Sequence, residues 1–320
     1  MKGSLEISLA VLKTKKIAII GYGNQGRAQA QNLKDGGFDV LIGIRENSRS
    51  IQKIIKDNHK YLNIADACAW ADVILILTPD EAIKEVYINH ISNQMAIGKT
   101  IIFAHGYAIY YKLIRIPKEV NVILVAPSAP GSTVRANYKN RKGIPCLIAV
   151  ENDFSRDSRE VAMAYAKAIG CADGRYIESS FKEETETDLF GEQSILTGGL
   201  LYILKESFKV LVERGYSPVV AWHVCFYESE NILSLLNRSG YKEFYNSVSS
   251  NARYGGVTRG KRIISNEVVN EMHKILDEIQ SGDYVKEIDS QTNLDDYKQL
   301  YKAIIDDTLE KAFKKQIKKK

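Results

Sequence analysis

The chain has 320 residues, of which 45% are hydrophobic and 26% charged, and it carries a formal net charge of +5. This composition is typical of a globular protein with room for one large domain or two ordinary ones. It excludes a membrane-spanning chain, because no stretch reaches the ~18 apolar residues that a span needs. The modest charge, part of it in a lysine-rich C-terminus, predicts neither a nucleic-acid nor a membrane partner.

Four cysteines lie far apart, each among apolar neighbours, and none forms a CxxC pair: Cys68, Cys146, Cys171 and Cys225. This spacing predicts buried free thiols rather than disulfides or a zinc site. The N-terminal residues lack the layout of a signal peptide, and we therefore expect a cytoplasmic protein.

Short β-branched runs alternate with helical stretches over roughly the first 180 residues. The runs predict strands at 17–20, 40–44, 73–77, 100–103, 120–126 and 146–150, with crossover helices at 25–34 and 80–88. Runs of this kind suit strands buried on both faces, as in a parallel sheet. The pattern predicts a doubly wound α/β domain.

Helical periodicity dominates the rest of the chain and predicts helices at 184–213, 218–236, 267–280 and 297–317. Ser217 and Pro218 are a favourable helix start, and Gly215 and Gly240 are favourable stops. We therefore expect two domains, a doubly wound domain at 1–180 and an all-α domain at 181–320.

A glycine-rich turn, GYGNQG at positions 21–26, follows the first predicted strand and precedes the first helix. Gly21 permits a tight turn, Gly23 lets the backbone approach a pyrophosphate, and Gly26 lets helix and strand pack closely. The helix N-terminus adds unpaired N–H groups and a positive dipole. In this context the turn predicts a Rossmann dinucleotide site; a glycine turn of an unrelated α/β protein is the alternative.

The loop after the second predicted strand indicates which dinucleotide binds. Arg45 stands where an NAD-binding protein usually has an acid for the ribose 2′-hydroxyl, and Ser48 and Ser50 follow it. Arginine and hydroxyl groups suit a 2′-phosphate, so the loop favours NADPH. Glu46 disfavours NADPH binding if its side chain points towards the phosphate, and the alternative interpretation is an exposed basic loop without a ligand.

Acidic residues crowd the start of the first long helix of the second half. Asp188 and Glu192 are four apart, so they share one helix face beside apolar neighbours, which is costly without a cation. All-oxygen ligation suits Mg²⁺, and Glu228 on the next helix would complete such a site. The alternatives are acids that favour a helix N-terminus and, for Glu228, a solvated helix face.

With these features the chain resembles ketol-acid reductoisomerase, an enzyme of branched-chain amino-acid biosynthesis, in its shorter form. The resemblance runs from about residue 12 to residue 290. It rests on the motifs GYGNQGRAQAQNLKDGG, LTPDE, FAHGYAI, VAPSAPGSTVR, KEETETDLFGEQ, GYSP and RYGGVTRGKRII.

The resemblance implies an enzyme that isomerises an acetohydroxy acid by an alkyl shift and then reduces the 2-keto acid with hydride from NADPH, aided by two Mg²⁺. It also implies a homodimer whose knotted helical domains interlock and share active sites. The matching cofactor residues are Gly21, Tyr22, Gly23, Asn24, Gln25, Gly26, Arg45, Ser48, Ser50, Pro130 and Gly131. The matching catalytic and metal residues are His105, Asp188, Glu192 and Glu228, and Ser249 matches the serine that binds the substrate carboxylate.

Two departures from the family pattern fall on the metal and substrate side. The family's active-site lysine is Ser128, which is neutral and cannot offset developing negative charge in the same way. A metal-binding glutamate is Val224, so the second Mg²⁺ loses a carboxylate. The adjacent His223 is not a simple replacement, because the next helix position points about 100° away. Lesser departures are Arg27, Tyr227 and Arg253.

Three hypotheses follow from this pattern. The chain is a working NADPH-dependent ketol-acid reductoisomerase whose losses are compensated. Alternatively, it is a divergent NADPH-dependent reductase of another keto, hydroxy-keto or imino acid, with weakened or lost isomerase activity. In the third, it is a non-catalytic dinucleotide-binding protein.

Overall fold

The computed structural model describes residues 7–290, 294–305 and 307–317. Contacts between Cα atoms divide the chain into two compact units, one ending at Thr185 and the other beginning at Glu186. The division falls inside a single helix, Phe181–Gly191, so this helix belongs to both units.

The first unit contains one eight-stranded sheet. Its strands are β1 (Ile17–Ile20), β2 (Val40–Gly43), β3 (Lys60–Leu62), β4 (Val73–Ile76), β5 (Thr100–Phe103), β6 (Asn121–Pro127), β7 (Ile144–Asn152) and β8 (Cys171–Glu178). Their order is β3-β2-β1-β4-β5-β6-β7-β8. Neighbouring strands are parallel, except that β7 runs antiparallel to β6.

The six predicted strands are confirmed, and the doubly wound fold with them. Two strands were missed. β3 has only three residues, all exposed, and therefore lacks an apolar run. β8 has the mixed sequence CADGRYIE, in which polar residues interrupt the pattern.

Helices cover both faces of this sheet. They are α1 (Ala10–Lys13), α2 (Asn24–Asp35), α3 (Ile51–Lys56), α4 (Ile64–Trp70), α5 (Asp80–Val86), α6 (Tyr107–Tyr110), α7 (Gly131–Lys139) and α8 (Ser158–Ala168). The two predicted crossover helices correspond to α2 and α5.

The core of the first unit lies in two layers, one on each side of the sheet. In β1, Ile17 and Ile19 belong to one apolar cluster and Ala18 and Ile20 to the other, because side chains alternate along a strand. All four residues are fully buried, as expected for a central parallel strand. The four cysteines are free and buried, as predicted.

The described residues of the second unit are predominantly helical. After α9 (Phe181–Gly191) come α10 (Gly199–Glu213), α11 (Pro218–Trp222), α12 (Glu228–Ser247), α13 (Ser250–Ile263), α14 (Asn266–Ser281), α15 (Asp283–Ser290), α16 (Leu294–Ile304) and α17 (Asp307–Ile317). π-helical turns occupy Glu192–Leu196 and His223–Tyr227. None of the helices in the described ranges is long and apolar enough to cross a membrane.

The long helices of the second unit differ in extent and continuity from those that the periodicity predicted. The helix predicted at 184–213 breaks at Thr197 and Gly198, after a π turn. The helix predicted at 218–236 contains the second π turn and continues to Ser247, with a kink at Gly240, where φ is 69°. The helix predicted at 297–317 consists of α16 and α17.

Candidate active site

The carboxyl ends of four strands meet at one cavity of about 380 Å³ in the first unit. Ile76, Phe103 and Pro127, the last residues of β4, β5 and β6, line it together with His105 and the glycine turn that follows β1. The strand order reverses between β1 and β4, and doubly wound sheets bind ligands at such a reversal.

The glycine turn owes its shape to three different requirements. Gly21 has φ +98°, and a Cβ there would lie 2.6 Å from the Leu77 carbonyl oxygen. A Cβ at Gly26 would lie 2.5 Å from the Gly21 carbonyl oxygen, so α2 packs directly on the turn. At Gly23, by contrast, a Cβ would meet nothing within 4 Å, so this position faces open space in front of the helix N-terminus.

A second helix N-terminus adjoins this turn. Pro130 is the residue before α7, and a Cβ on Gly131 would collide with the backbone of Asn24 and Gln25. The Gln25 side chain donates a hydrogen bond of 2.8 Å to the Ala129 carbonyl oxygen. The N-termini of α2 and α7 therefore converge, which adds a second positive helix dipole beside the nucleotide turn.

The loop after β2 closes a smaller cavity of about 220 Å³ against the glycine turn. Arg45, Ser48 and Ser50 line one side of this cavity, and Gly21 to Gly23 line the other. The Ser50 N–H donates a 3.2 Å hydrogen bond to the Ser48 hydroxyl oxygen, which orders the loop. Glu46 lines a neighbouring cavity and not this one.

A polar network behind the turn was not predicted. The Arg27 guanidinium donates two hydrogen bonds, of 2.6 and 2.9 Å, to the Asp57 carboxylate, and the buried Tyr22 hydroxyl donates a third, of 2.9 Å. The hydrogen bond from Arg27, more than that from Tyr22, lowers the pKa of Asp57. Burial, followed by the contact with Asp57, raises the pKa of Tyr22. Asp57 thus ties the first turn of α2 to the end of α3.

His105 follows β5 and contacts a buried acid. Its Nδ1 lies 3.1 Å from Oε1 of Glu184, and the Gly106 N–H donates a 2.6 Å hydrogen bond to the other carboxylate oxygen. Glu184 is 4% exposed. Glu184 was not singled out among the acidic residues of this helix, and the structure places it beside His105.

The acidic helix α9 places two carboxylates one turn apart. A carboxylate oxygen of Glu184 and one of Asp188 lie within 4.8 Å of each other, and Asp188 is exposed. Oxygen donors at this separation fit a hard divalent cation. Glu192 begins the π turn Glu192–Leu196, whose hydrogen bond joins the Thr197 N–H to the Glu192 carbonyl oxygen at 2.9 Å.

The remaining predicted residues lie in the second unit. Glu228 begins α12 directly after the π turn His223–Tyr227, and its Oε1 lies 3.6 Å from Nε2 of His223. The π turn therefore brings His223 next to Glu228, although the two residues are five positions apart. Val224 is 47% exposed. Ser249 caps α13, accepting a 3.2 Å hydrogen bond from the Ala252 N–H.

Comparison with known proteins covers both halves of the chain. The model described as "Acetohydroxy acid isomeroreductase, NADPH-binding domain" matches residues 11–174. The model described as "Ketol-acid reductoisomerase, C-terminal domain" matches residues 181–319. Ketol-acid reductoisomerase (NADP(+)) of Methanocaldococcus jannaschii is 45% identical over 282 residues, which are 88% of this chain and 86% of that protein.

Solved structures agree with this assignment. The structure of an NADH-preferring ketol-acid reductoisomerase from an uncultured archaean matches with a TM-score of 0.92 and 36% identity, over 98% of this chain and 96% of that one. A semialdehyde dehydrogenase NAD-binding protein from Cupriavidus necator, at 18% identity, matches with a TM-score of 0.65 over 84% of this chain and 99% of that one, which shows the fold alone. The two family models and the two close relatives together show that this chain belongs to the ketol-acid reductoisomerase family.

Proposed function

We propose that this protein is an NADPH-dependent ketol-acid reductoisomerase, which shifts an alkyl group within an acetohydroxy acid and then reduces the 2-keto acid. One observation carries the proposal: the cavity at the Arg45 loop and the cavity at His105 share Gly23 and residues 77–79. A dinucleotide bound along the two cavities would place its 2′-phosphate at Arg45 and its other end near His105, which contacts the buried Glu184. The cytoplasmic location and the role in branched-chain amino-acid biosynthesis stay predictions.

The residues of the chain divide the work as follows. The N-termini of α2 and α7 hold the pyrophosphate, and Arg45, Ser48 and Ser50 hold the 2′-phosphate. Glu184 fixes the His105 imidazole at the cavity wall through Nδ1. Asp188, Glu192 and Glu228 are the proposed ligands of the divalent cation, and Ser249 the proposed partner of the substrate carboxylate. A bound cation supplies positive charge next to the substrate oxygens.

A second candidate function is favoured by the surroundings of position 128. Ser128 is exposed, and its N–H donates to the Pro145 carbonyl oxygen at 3.0 Å. A neutral hydroxyl at this position cannot stabilise developing negative charge on the substrate as an ammonium does. The alkyl shift depends on this stabilisation more than hydride transfer does. This observation supports a reductase of another keto, hydroxy-keto or imino acid.

NADPH consumption with different substrates distinguishes the two candidate functions. We expect NADPH to be consumed when the protein is incubated with 2-acetolactate and Mg²⁺. Consumption with a 3-hydroxy-2-keto acid but not with 2-acetolactate would establish the second candidate instead. Tight NADPH binding with no turnover on either substrate would contradict both.

The Arg45 loop gives a test of cofactor preference. In the Arg45→Asp variant we expect NADPH affinity to fall about 10- to 100-fold, since a charged hydrogen bond is worth roughly 1.5–3 kcal/mol. NADH, which lacks the 2′-phosphate, should change by less than about threefold. The affinities are measured by fluorescence titration of each nucleotide.

Arg49→Asp is the matched control for this loop. Arg49 carries the same charge four residues later but lines neither cavity. We expect it to lower both affinities only slightly through long-range charge, with NADPH affected somewhat more than NADH because of its additional phosphate charge. Equal losses of NADPH and NADH in Arg45→Asp would contradict the assignment of the 2′-phosphate site.

We also propose that the protein is a homodimer with shared active sites. The second unit buries few of its apolar residues, and among the described residues α12 and α13 contain no buried position. Ile232, Leu233 and Val257 on these helices remain between 42% and 57% exposed. Helices of this kind need a covering surface, and a second copy of the chain supplies it.

Mixing two inactive variants tests the shared site. If Asp188 and Glu228 of different chains serve one site, a heterodimer of Asp188→Asn and Glu228→Gln contains one intact site. Co-expression should then restore about a quarter of wild-type activity, because half of the random dimers are mixed and one of their two sites is intact. No restoration, with dimers confirmed by light scattering, would place both residues in one subunit's site.

A further inference from the structure

A π-helical turn changes which residues meet ahead of Glu228. Over His223–Tyr227 the helix closes with a hydrogen bond from the Glu228 N–H to the His223 carbonyl oxygen. In a regular α-helix, positions five apart point about 140° from each other. A π turn, whose hydrogen bond spans five residues rather than four, brings such positions together. Inserted turns of this type are frequent at functional sites.

The side chains of His223 and Glu228 meet as a result. Nε2 of the imidazole lies 3.6 Å from Oε1 of the carboxylate. The Tyr227 ring stacks on the imidazole, with centroids 4.9 Å apart and planes inclined by 21°, which holds the imidazole in place. Both partners are about half exposed, so their direct attraction contributes little to the stability of the fold.

The separation of these two donor atoms suits a shared cation. Metal–ligand bonds of ~2.1 Å place two adjacent ligand atoms roughly 3.0 Å apart in octahedral and 3.4 Å apart in tetrahedral coordination. A small rotation of either side chain therefore closes the observed 3.6 Å gap around an ion. Val224, the position at which the family has a glutamate, offers no donor atom.

We propose that His223 and Glu228 together ligate a divalent cation, the imidazole nitrogen taking over from the carboxylate that Val224 has lost. This inference deepens the proposed function and depends on it for the role of the ion in the reaction. A mixed nitrogen and oxygen donor set binds Mn²⁺, Co²⁺ or Zn²⁺ better than a purely oxygen set does, relative to Mg²⁺. The site should therefore prefer Mn²⁺ or Co²⁺ over Mg²⁺.

Pulsed electron paramagnetic resonance of the Mn²⁺-loaded full-length protein detects the nitrogen ligand directly. We expect a ¹⁴N coupling in the wild type that is lost in His223→Gln. His273→Gln is the matched control, since His273 is an exposed histidine on α14 of the same unit, and it should keep the coupling. His105→Gln identifies any coupling that arises from the other candidate histidine. A coupling that persists in His223→Gln, or one that is missing from the wild type, overturns the proposal.

Metal preference provides a second measurement. His223→Glu restores an all-oxygen set, so the ratio of Mn²⁺ to Mg²⁺ affinity, measured by calorimetry, should fall about tenfold. An unchanged ratio would contradict nitrogen ligation even if His223→Gln proved unstable. Failure of the proposed reaction remains distinguishable. A nitrogen coupling without turnover of 2-acetolactate would contradict the proposed reaction but not the His223 site. Turnover without the coupling would contradict the His223 site but not the reaction.

Discussion

We expect Gly26→Ala to lower both the stability of the protein and its affinity for NADPH, whereas Gly23→Ala should lower the NADPH affinity alone. The methyl group at position 26 would lie 2.5 Å from the Gly21 carbonyl oxygen, which is backbone and cannot move aside like a side chain. Forced packing of this kind costs roughly 1–3 kcal/mol of unfolding free energy. At position 23 the methyl group meets no protein atom within 4 Å and instead occupies the space in front of α2.

The two effects are separated by thermal unfolding without ligand and by NADPH titration. We expect the melting temperature of Gly26→Ala to fall by several degrees, while Gly23→Ala changes the unfolding free energy by less than about 1 kcal/mol. NADPH affinity should drop at least about tenfold in both variants. Wild-type affinity in Gly23→Ala would show that the pyrophosphate does not approach this part of the turn.

The buried Glu184 should matter for both the fold and the reaction. In Glu184→Ala the buried Gly106 N–H loses this acceptor and His105 loses its contact with the carboxylate. An unsatisfied buried polar group costs about 1–3 kcal/mol, and loss of an orienting partner lowers activity about 10- to 100-fold. Glu184→Gln keeps an oxygen for the Gly106 N–H but removes the charge opposite His105. It should therefore stay folded and lose activity.

Turnover number and melting temperature, measured on both variants, decide this point. The neighbouring Glu183 provides the control, because it lies on the same helix, is exposed, and accepts a 3.0 Å hydrogen bond from the Ser179 hydroxyl. Glu183→Gln should resemble the wild type in both measurements. Wild-type turnover in Glu184→Gln would show that the negative charge next to His105 is not needed.

Most strands of the sheet were predictable, because strands that are buried on both faces consist of apolar residues. β1 and β4 are continuous apolar runs, and such runs indicate strands buried on both faces. β3 carries no such signal, because the three residues that pair with β2 are exposed. The glycine turn was equally predictable, since Gly21 and Gly26 meet local steric requirements and Gly23 leaves open space in front of α2.

Contacts between distant residues were not predictable from the sequence. Arg27 and Asp57 are thirty positions apart, and Glu184 and His105 seventy-nine, so no helical or strand periodicity connects them. The π turn at His223 was missed for a different reason. A sequence pattern assigns helix faces at a constant 3.6 residues per turn, and a single inserted residue shifts every face after it.

Helix α9 has a consequence for the construction of chimeras from this family. Phe181 packs against Phe103 in the core of the first unit, with ring centroids 6.2 Å apart, and Glu184 on the next turn contacts His105. A crossover at the predicted border of residue 180 would give both to the other parent. The nucleotide-binding half would then receive a foreign side chain in its core and a foreign partner for its histidine. Recombination should therefore keep α9 and the first unit from the same parent.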